Sequence, residues 1–447
     1  MDTAQPAEER DGAEIGARMH ALATRLFPIA RSLTGAGVRE TLRILQGEIP
    51  GLQLHEVPSG TQCFDWQVPK EWVIRDAYLF APDGTRMCRF RDNNLHVVGY
   101  SVGVDRELTL DELQPHLHSL PAQPEAIPYV TSYYRPQWGF CLTHRQREGL
   151  RPGTYRAVVD AEHIDGSLTY GELLLPATEP TSAGEILISS YMCHPSMANN
   201  ELSGPCVVTA LAGWLAKLPR RRHSYRIVLT PETIGSLCYL SRHHEQLRRD
   251  VVAGFVVTCV GDDRAYSYLP SRAGNTRADR VALHVLETSV DAFTRYTFQD
   301  RGSDERQYCA PGIDLPVASI MRSKYHTYPE YHTSLDDLTL VTPSGLYGGY
   351  RVLRDCLRAL ELNRRFRTTV LGEPQLGRRG LYPTTSLPGL SLDRRVRVIR
   401  ELLAYGDGEH DLLDIAGLLR CSIFDLEAAV ADLEVAGLLR PVADGPA

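Results

Sequence analysis

Four short stretches carry the side chains that could do chemistry: "CHPSMANNELSG" (193–204), "PETIGS" (231–236), "GDDRAYSYLPSR" (261–272) and "RSKYHTYPEYHTSLDD" (322–337). Their candidate residues are His194, Glu201, Glu232, Asp262, Asp263, His326, His332, Asp336 and Asp337. Neutral imidazole and carboxylate are the usual ligands of a catalytic zinc ion, which takes about three protein groups and keeps one position open. A further carboxylate beside such a site serves as general base. The chemistry these residue types suit is metal-assisted hydrolysis.

Each residue also has a plainer reading. A lone histidine just past a buried strand, as at His194, is most simply satisfied by a backbone carbonyl; three other polar loops at the same edge argue instead for a ligand. Ser203 before Gly204–Pro205 reads as a helix N-cap. Glu201 is either a ligand or an exposed carboxylate favoured near a helix N-terminus. Glu232 is either a general base or a helix-start carboxylate. His332 has Asp336 and Asp337 downstream, and a carboxylate behind a ligand histidine commonly orients it; alternatively Ser334 caps the next element. His326 reads as a substrate-side or surface residue.

Four strands must bring these loops together: "EILISSYM" (185–192), "SYRIVLT" (224–230), "GFVVTCV" (254–260) and "DLPVASIM" (314–321). Several are nearly continuous apolar runs, as expected of strands covered on both faces. They alternate with helical patterns such as "GPCVVTALAGWLAKL". The expected fold class is therefore α/β, a largely parallel central sheet with helices on both faces. Ligands bind at the carboxyl ends of such strands, where all four loops would converge. Residues 13–64 and 151–370 are assigned to this domain. Short segments between turns such as "PDG" and "RPG" read as an inserted β-rich domain over 65–150. Three short helical patterns and a final strand read as a winged-helix module over 385–447.

The bulk numbers narrow the class. The chain has 447 residues, 43% hydrophobic and 23% charged, with net charge −7. That is long enough for two or three domains and gives no basic surface for nucleic acid or membrane. The N-terminus lacks the basic-then-apolar pattern of a signal peptide, and no run approaches the ~20 apolar residues of a membrane span. Ten scattered cysteines without CxxC pairs fit neither a zinc finger nor a disulfide scaffold, so a reducing, cytoplasmic setting is expected.

In order and type, these loops resemble the co-catalytic zinc aminopeptidase superfamily. They are most similar to an aminopeptidase-like branch with an inserted β domain and a C-terminal winged helix, often labelled as polysaccharide-biosynthesis or peptidase-like proteins. The resemblance covers nearly the whole chain and rests on "CHPSMANNELSGP", "PETIGS", "CVGDDRAYSYLPSR", "GSDERQY" and "YPEYHTSLDDL". It implies a zinc-peptidase fold, His194 and His332 as nitrogen ligands and Glu232 as general base. The chain departs from the pattern where the bridging aspartate is expected, at Asn200. It departs again at the second glutamate of the pair, Thr233; the later aspartate corresponds either to Thr258 or to Asp262 or Asp263 just downstream. Two dications need bridging carboxylates, so one Zn2+ is expected rather than two, with Glu201 as its oxygen ligand. Asn200, Asp263, Asp304 and Asp336 are the remaining candidates, as ligands or as groups behind them. Tyr268, Arg272, Arg306, Arg322 and Lys324 are candidates for holding a substrate carboxylate.

The expected activity is hydrolysis of an amide or peptide bond in a small peptide or aminoacylated metabolite, in a natural-product or polysaccharide pathway. The competing readings are a catalytically inactive, aminopeptidase-like binding protein and a winged-helix DNA-binding regulator. The helix pattern "SIFDLEAAVADLEVA" holds Asp425, Glu427, Asp432 and Glu434 and no Lys or Arg. Phosphate contacts need cations, so no nucleic-acid partner is expected and the module reads as a surface for protein contact or self-association.

Overall fold

The computed structural model describes residues 7–133, 135–179, 183–382 and 394–442. Its centre is an eight-stranded sheet: β1 Gln53–Pro58, β2 Ser167–Leu175, β3 Glu185–Tyr191, β4 Ser224–Thr230, β5 Val251–Val256, β6 Ser267–Leu269, β7 Thr294–Arg295 and β8 Val317–Met321, in the spatial order β1-β2-β4-β3-β5-β8-β6-β7. The four central strands β4-β3-β5-β8 are mutually parallel. Antiparallel pairs flank them on both sides, β1 with β2, β2 with β4, and β6 with β8.

The parallel strands are buried on both faces, and alternate residues feed two cores. Ile186, Ile188, Tyr225, Ile227, Phe255 and Ile320 face the helices Ala7–Leu26, Ser203–Ala216, Arg277–Ser289 and Pro343–Leu362. Leu187, Val228, Val256 and Val317 face the helix Ile234–Asp250 and Tyr308. Period-two alternation within runs that are apolar throughout is what two covered faces require. The helix Ser203–Ala216 lies so close to the sheet that a Cβ on Gly204 would stand 2.3 Å from the Val257 carbonyl oxygen and 2.4 Å from Ser190 Oγ.

Between β1 and β2 the chain leaves to build a second, four-stranded antiparallel sheet from Glu71–Phe80, Arg86–Met87, Val104–Thr109 and Thr154–Ile164. Thr154–Ile164, which follows the 65–150 span read from sequence, pairs along most of its length with Glu71–Phe80 and Val104–Thr109. This sheet has its own core around Trp72, Leu79, Tyr100, Phe140 and Tyr155.

At the other end, Arg365–Thr368 pairs with Asp407–Asp411 and Leu439–Pro441 beside the helices Arg394–Ala404, Leu412–Leu419 and Glu427–Val435, the winged-helix arrangement. Of the 385–447 span expected for this module, residues 385–393 and 443–447 lie outside the described residues. The Arg280 guanidinium, on the helix Arg277–Ser289, clamps both oxygens of Asp411 at 2.7 and 2.8 Å and reaches Asp414 at 2.9 Å. Burial pushes the Asp411 carboxyl up, but Arg280 and Asn363 outweigh it and bring it down to about 2.

Two outcomes follow. Gly204→Ala forces the helix off the sheet and lowers stability by about 1–3 kcal/mol; an unchanged urea midpoint would contradict this seating. Asp411 has a depressed pKa, so its contribution is present above pH about 4 and lost as pH falls toward about 2. Arg280→Met therefore loses stability relative to wild type above pH about 4, and the gap closes on acidification, in urea melts across that window.

Candidate functional site

The four polar loops leave the carboxyl ends of adjacent parallel strands: Cys193–His194 after β3, Pro231–Glu232 after β4, Thr258–Asp263 after β5 and Arg322–Asp337 after β8. Two buried aspartates lock three of them together. Asp336 accepts from the backbone N–H groups of Asn199 (2.6 Å), Asn200 (3.0 Å) and Ala198 (3.2 Å), and from the Tyr328 hydroxyl (3.0 Å). It thus caps, from the β8 loop, the π-wound turn Ala198–Leu202 that opens the helix after β3. Ser203, expected as that cap, sits inside the continuous helix and donates to the Asn199 carbonyl at 2.5 Å. A carboxylate at a helix N-terminus satisfies orphan donors and suits the dipole. Burial nevertheless pushes Asp336 up to about 6. Asp262 accepts from Asn199 Nδ2 (3.1 Å), Ser323 N (2.9 Å) and Ser323 Oγ (2.7 Å), tying three loops at one point.

His194 is the pivot. Its Nδ1 lies 2.8 Å from Glu201 Oε2, and its Nε2 lies 3.7 Å from Glu232 Oε2. Glu201 has no exposed side-chain surface and does not line the cavity. It faces the equally buried Arg31, whose Nε lies 3.8 Å from Glu201 Oε1. Arg31 also donates to the His194 carbonyl (3.2 Å) and the Leu26 carbonyl (2.6 Å). Glu201, expected as an oxygen ligand, is therefore placed behind the imidazole, where a carboxylate fixes the tautomer and ring orientation. Burial disfavours a charged His194, but Cys193 and Glu201 outweigh it and raise its pKa well above the ordinary value.

Glu232 is presented by a strained turn. Ile234 N donates to the Glu232 carbonyl at 2.8 Å across Thr233, which has φ 63° and ψ −77°. A γ-turn of this hand is rare and costly, and it persists only where its surroundings hold it. Here Asp304 accepts from Thr233 N (2.8 Å) and Ser236 Oγ (2.9 Å), and Arg306 donates to Thr233 Oγ1 (2.6 Å). Burial raises the Glu232 carboxyl, against His194 and Arg306. Burial and the nearby Glu232 push Asp304 up to about 7.

His332 also has positive φ, 56°. Its ring stacks on Tyr331 at 3.9 Å, meets Tyr129 edge-on at 5.2 Å and lies 5.3 Å from the His194 ring. Its Nε2 is buried without a hydrogen-bond partner, and burial, then His194, brings its pKa down to about 2. His326 is exposed and packs on Tyr331 at 4.6 Å.

A cavity of about 550 Å³ opens over His194, Glu232, Thr233 and His332. The inserted domain supplies Tyr129, Thr131 and Tyr133 to its wall, and the hairpin formed by Gln62–Cys63 and Trp66–Gln67 supplies Asp65, Trp66 and Gln67. The described lining holds two carboxylates, Asp65 and Glu232, and no Lys or Arg. Of the five substrate candidates, Arg306 reaches the floor through Thr233. Tyr268 donates to Asp279, Arg272 pairs with Asp314, Arg322 donates to the Ala265 carbonyl beneath Tyr266, and Lys324 donates to the Tyr325 carbonyl. Asp263 accepts from Thr342 and Ser344 at the start of the helix Pro343–Leu362. Sequence reasoning missed Arg31, Tyr129 and the hairpin. Arg31 lies in an unmarked link between two helices, 170 positions from its partner.

Thr258 Oγ1 donates to Tyr191 Oη (2.7 Å), which donates on to Asn200 Oδ1 (2.8 Å). Thr233 Oγ1 is taken by Arg306. Asn200, Thr233 and Thr258 are neutral and engaged, so they bring no bridging carboxylate. Two imidazoles and Glu232 at the cavity floor are donor types that suit zinc. A second buried group, Cys193, His194 and Glu201, has ligating atoms within 4.8 Å of one another. The Arg31 guanidinium already balances Glu201 there and opposes a further cation.

Residues 20–363 match the family described as a domain of unknown function, DUF4910, and residues 364–441 match a winged helix-turn-helix family. A Clostridium acetobutylicum protein, provisionally named a polysaccharide biosynthesis protein with an aminopeptidase-like domain, is 42% identical over 408 residues, 91% of this chain and 92% of that protein. A crystal structure of a protein from that organism, provisionally named a peptidase, matches with TM-score 0.90 and 40% identity over 97% of this chain and 98% of that one. A zinc aminopeptidase from Bacillus subtilis matches with TM-score 0.56 at 10% identity, over 77% of this chain and 94% of that chain. The Shewanella amazonensis peptidase M28 precursor matches with TM-score 0.53 at 12%, over 82% and 97%. At those identities the likeness is one of fold. The chain belongs to the DUF4910 family, shares its fold with zinc aminopeptidases, and carries a C-terminal winged helix.

Removing one partner of a fully buried ion pair leaves the other unpaired, at about 3–5 kcal/mol. Glu201→Gln is expected to cost that much in urea unfolding. The double variant with Arg31→Met is expected to cost clearly less than the sum of the singles; strict additivity would mean the two groups do not act as a pair.

Proposed function

We propose that the chain is a metal-dependent hydrolase that uses one ion, not two, to cleave an amide bond in a small peptide, an aminoacylated metabolite or an amide-bearing sugar. The cavity floor carries this reading. His194 Nε2 faces Glu232 at 3.7 Å, and the buried His332 Nε2 lacks any partner. His194 and His332 are the nitrogen donors. The chemistry zinc supplies when bound is polarisation of a carbonyl and a lowered pKa for water. Glu201, backed by Arg31, keeps Nδ1 engaged and directs Nε2 at the cavity. Glu232 takes a proton and returns it to the leaving amine; burial raises its affinity for that proton, as the task requires. The strained Thr233 turn, held by Asp304 and Arg306, fixes its reach. The absence of Lys and Arg from the described lining favours a neutral or cationic substrate over an anionic one. The name of the Clostridium relative supports a place in polysaccharide metabolism.

No helix among the described residues is long and apolar enough to cross a membrane, and a cytoplasmic setting is proposed. The winged helix is proposed to face protein, including a second copy of the chain, and not nucleic acid. Two of its acidic residues are neutralised internally, Asp425 by Arg394 and Asp432 by Arg395, and no surplus of cations is left for phosphate.

One observation favours a second reading, a non-hydrolytic binding protein. With Glu201 withdrawn onto Nδ1, the floor keeps a single carboxylate for two tasks, holding an ion and moving a proton. Metal analysis together with hydrolysis of amino-acyl amides separates these cases. The proposal predicts about one zinc per chain in wild type. It also predicts that Glu232→Gln keeps the metal while its rate falls by roughly 10²–10⁴. Joint loss of metal and activity would make Glu232 a ligand. A metal-free, inactive wild type would establish the binding protein.

A further inference from the structure

Two thiols meet where the cavity rim touches the helix that follows Glu232. Cys63, in the strand Gln62–Cys63, and Cys238, on the helix Ile234–Asp250, have Sγ atoms 3.0 Å apart across 175 residues of sequence. Both are fully buried in one apolar cluster. The proposed reaction uses neither. On one side the hairpin continues directly into Asp65, Trp66 and Gln67 of the cavity wall; on the other, Ile234 of the same wall lies one helical turn before Cys238. The hairpin is two residues per strand, with Phe64 and Asp65 exposed at its tip and Gly60 at positive φ in the turn before it. A disulfide needs sulfurs about 2.05 Å apart, so closing the gap takes roughly one ångström of movement by this short element.

We propose that Cys63 and Cys238 are a reversible disulfide strap, closed by a low-molecular-weight disulfide, that fixes the cavity rim onto the helix behind Glu232. Cys63 lies on the two-residue strand that continues into the cavity wall, so the first step is assigned to it. Its sulfur, losing its proton, attacks the small disulfide; one S–S bond breaks, a mixed disulfide forms and one small thiol leaves with a proton. Cys238 then loses its proton, displaces the second small thiol and forms the protein disulfide. Two protein thiols are oxidised, one small disulfide is reduced to two thiols, and protons and electrons balance. The strap joins wall to helix without touching His194 or His332, so it acts on access to the cavity.

The test treats the full-length protein with oxidised glutathione, blocks the remaining thiols, maps peptides under non-reducing conditions and follows hydrogen exchange over residues 60–68. Cys421, the one half-exposed cysteine among the described residues, reports that the reagent works. The expected result is a Cys63–Cys238 cross-link reversed by dithiothreitol, with slower exchange over 60–68. Cys63→Ala and, independently, Cys238→Ala abolish both while Cys421 still reacts. Modified Cys421 with Cys63 and Cys238 both free would overturn the proposal, as would a stable mixed disulfide on Cys63 beside a free Cys238.

Discussion

A carboxylate with no exposed surface must be answered inside the protein, and Glu201 is answered from two directions. Arg31 approaches from the link between the first two helices and His194 Nδ1 from the loop after β3. Because Arg31 also holds the His194 carbonyl, one guanidinium fixes both the loop that carries the imidazole and the group that orients the ring. The other imidazole nitrogen then has one direction left, into the cavity toward Glu232. The N-terminal helices are thus part of the site's construction as well as a cover for the sheet.

Around this pivot the site is depleted of charge compared with the two-ion pattern it resembles. Asn200 and Thr233 stand where carboxylates are expected, and the fold makes use of their neutrality. Thr258, Tyr191 and Asn200 form a hydrogen-bonded chain that a second anion in a buried place would disrupt. The remaining buried carboxylates, Asp262 and Asp336, spend their lone pairs on backbone and side-chain donors of neighbouring loops. They set the positions of His194 and His332 relative to each other without facing the cavity. The Glu232 turn is under backbone strain at the floor, and Asp304 holds it.

Much of this was legible in sequence, and what was not has physical causes. The four parallel strands announce themselves as short apolar runs followed by polar loops, so the sheet edge and its convergent loops could be read directly. Strand ends were harder. The third run was read as 254–260, but pairing stops at Val256, because the chain peels away to place Thr258 and to turn at Cys259 with φ 51°. Thr154–Ile164 alternates like any half-buried strand, and only pairing shows that it belongs to the second sheet. The direction of Glu201 was not readable, since it depends on Arg31, whose role leaves no local pattern. The helix cap was misread for a similar reason: Ser203 has the right type and position, but Asp336, more than a hundred residues on, has already satisfied the exposed N–H groups.

The central claim is that Arg31 and Glu201 hold His194 by Nδ1 and aim Nε2 at a one-ion site shared with His332. A crystal structure of zinc-loaded protein with anomalous data tests this directly. The account predicts a single peak at about 2.0–2.1 Å from His194 Nε2 and His332 Nε2, with Glu201 still on Nδ1. A peak among Cys193, His194 Nδ1 and Glu201, or two peaks bridged across Asn200, would contradict it.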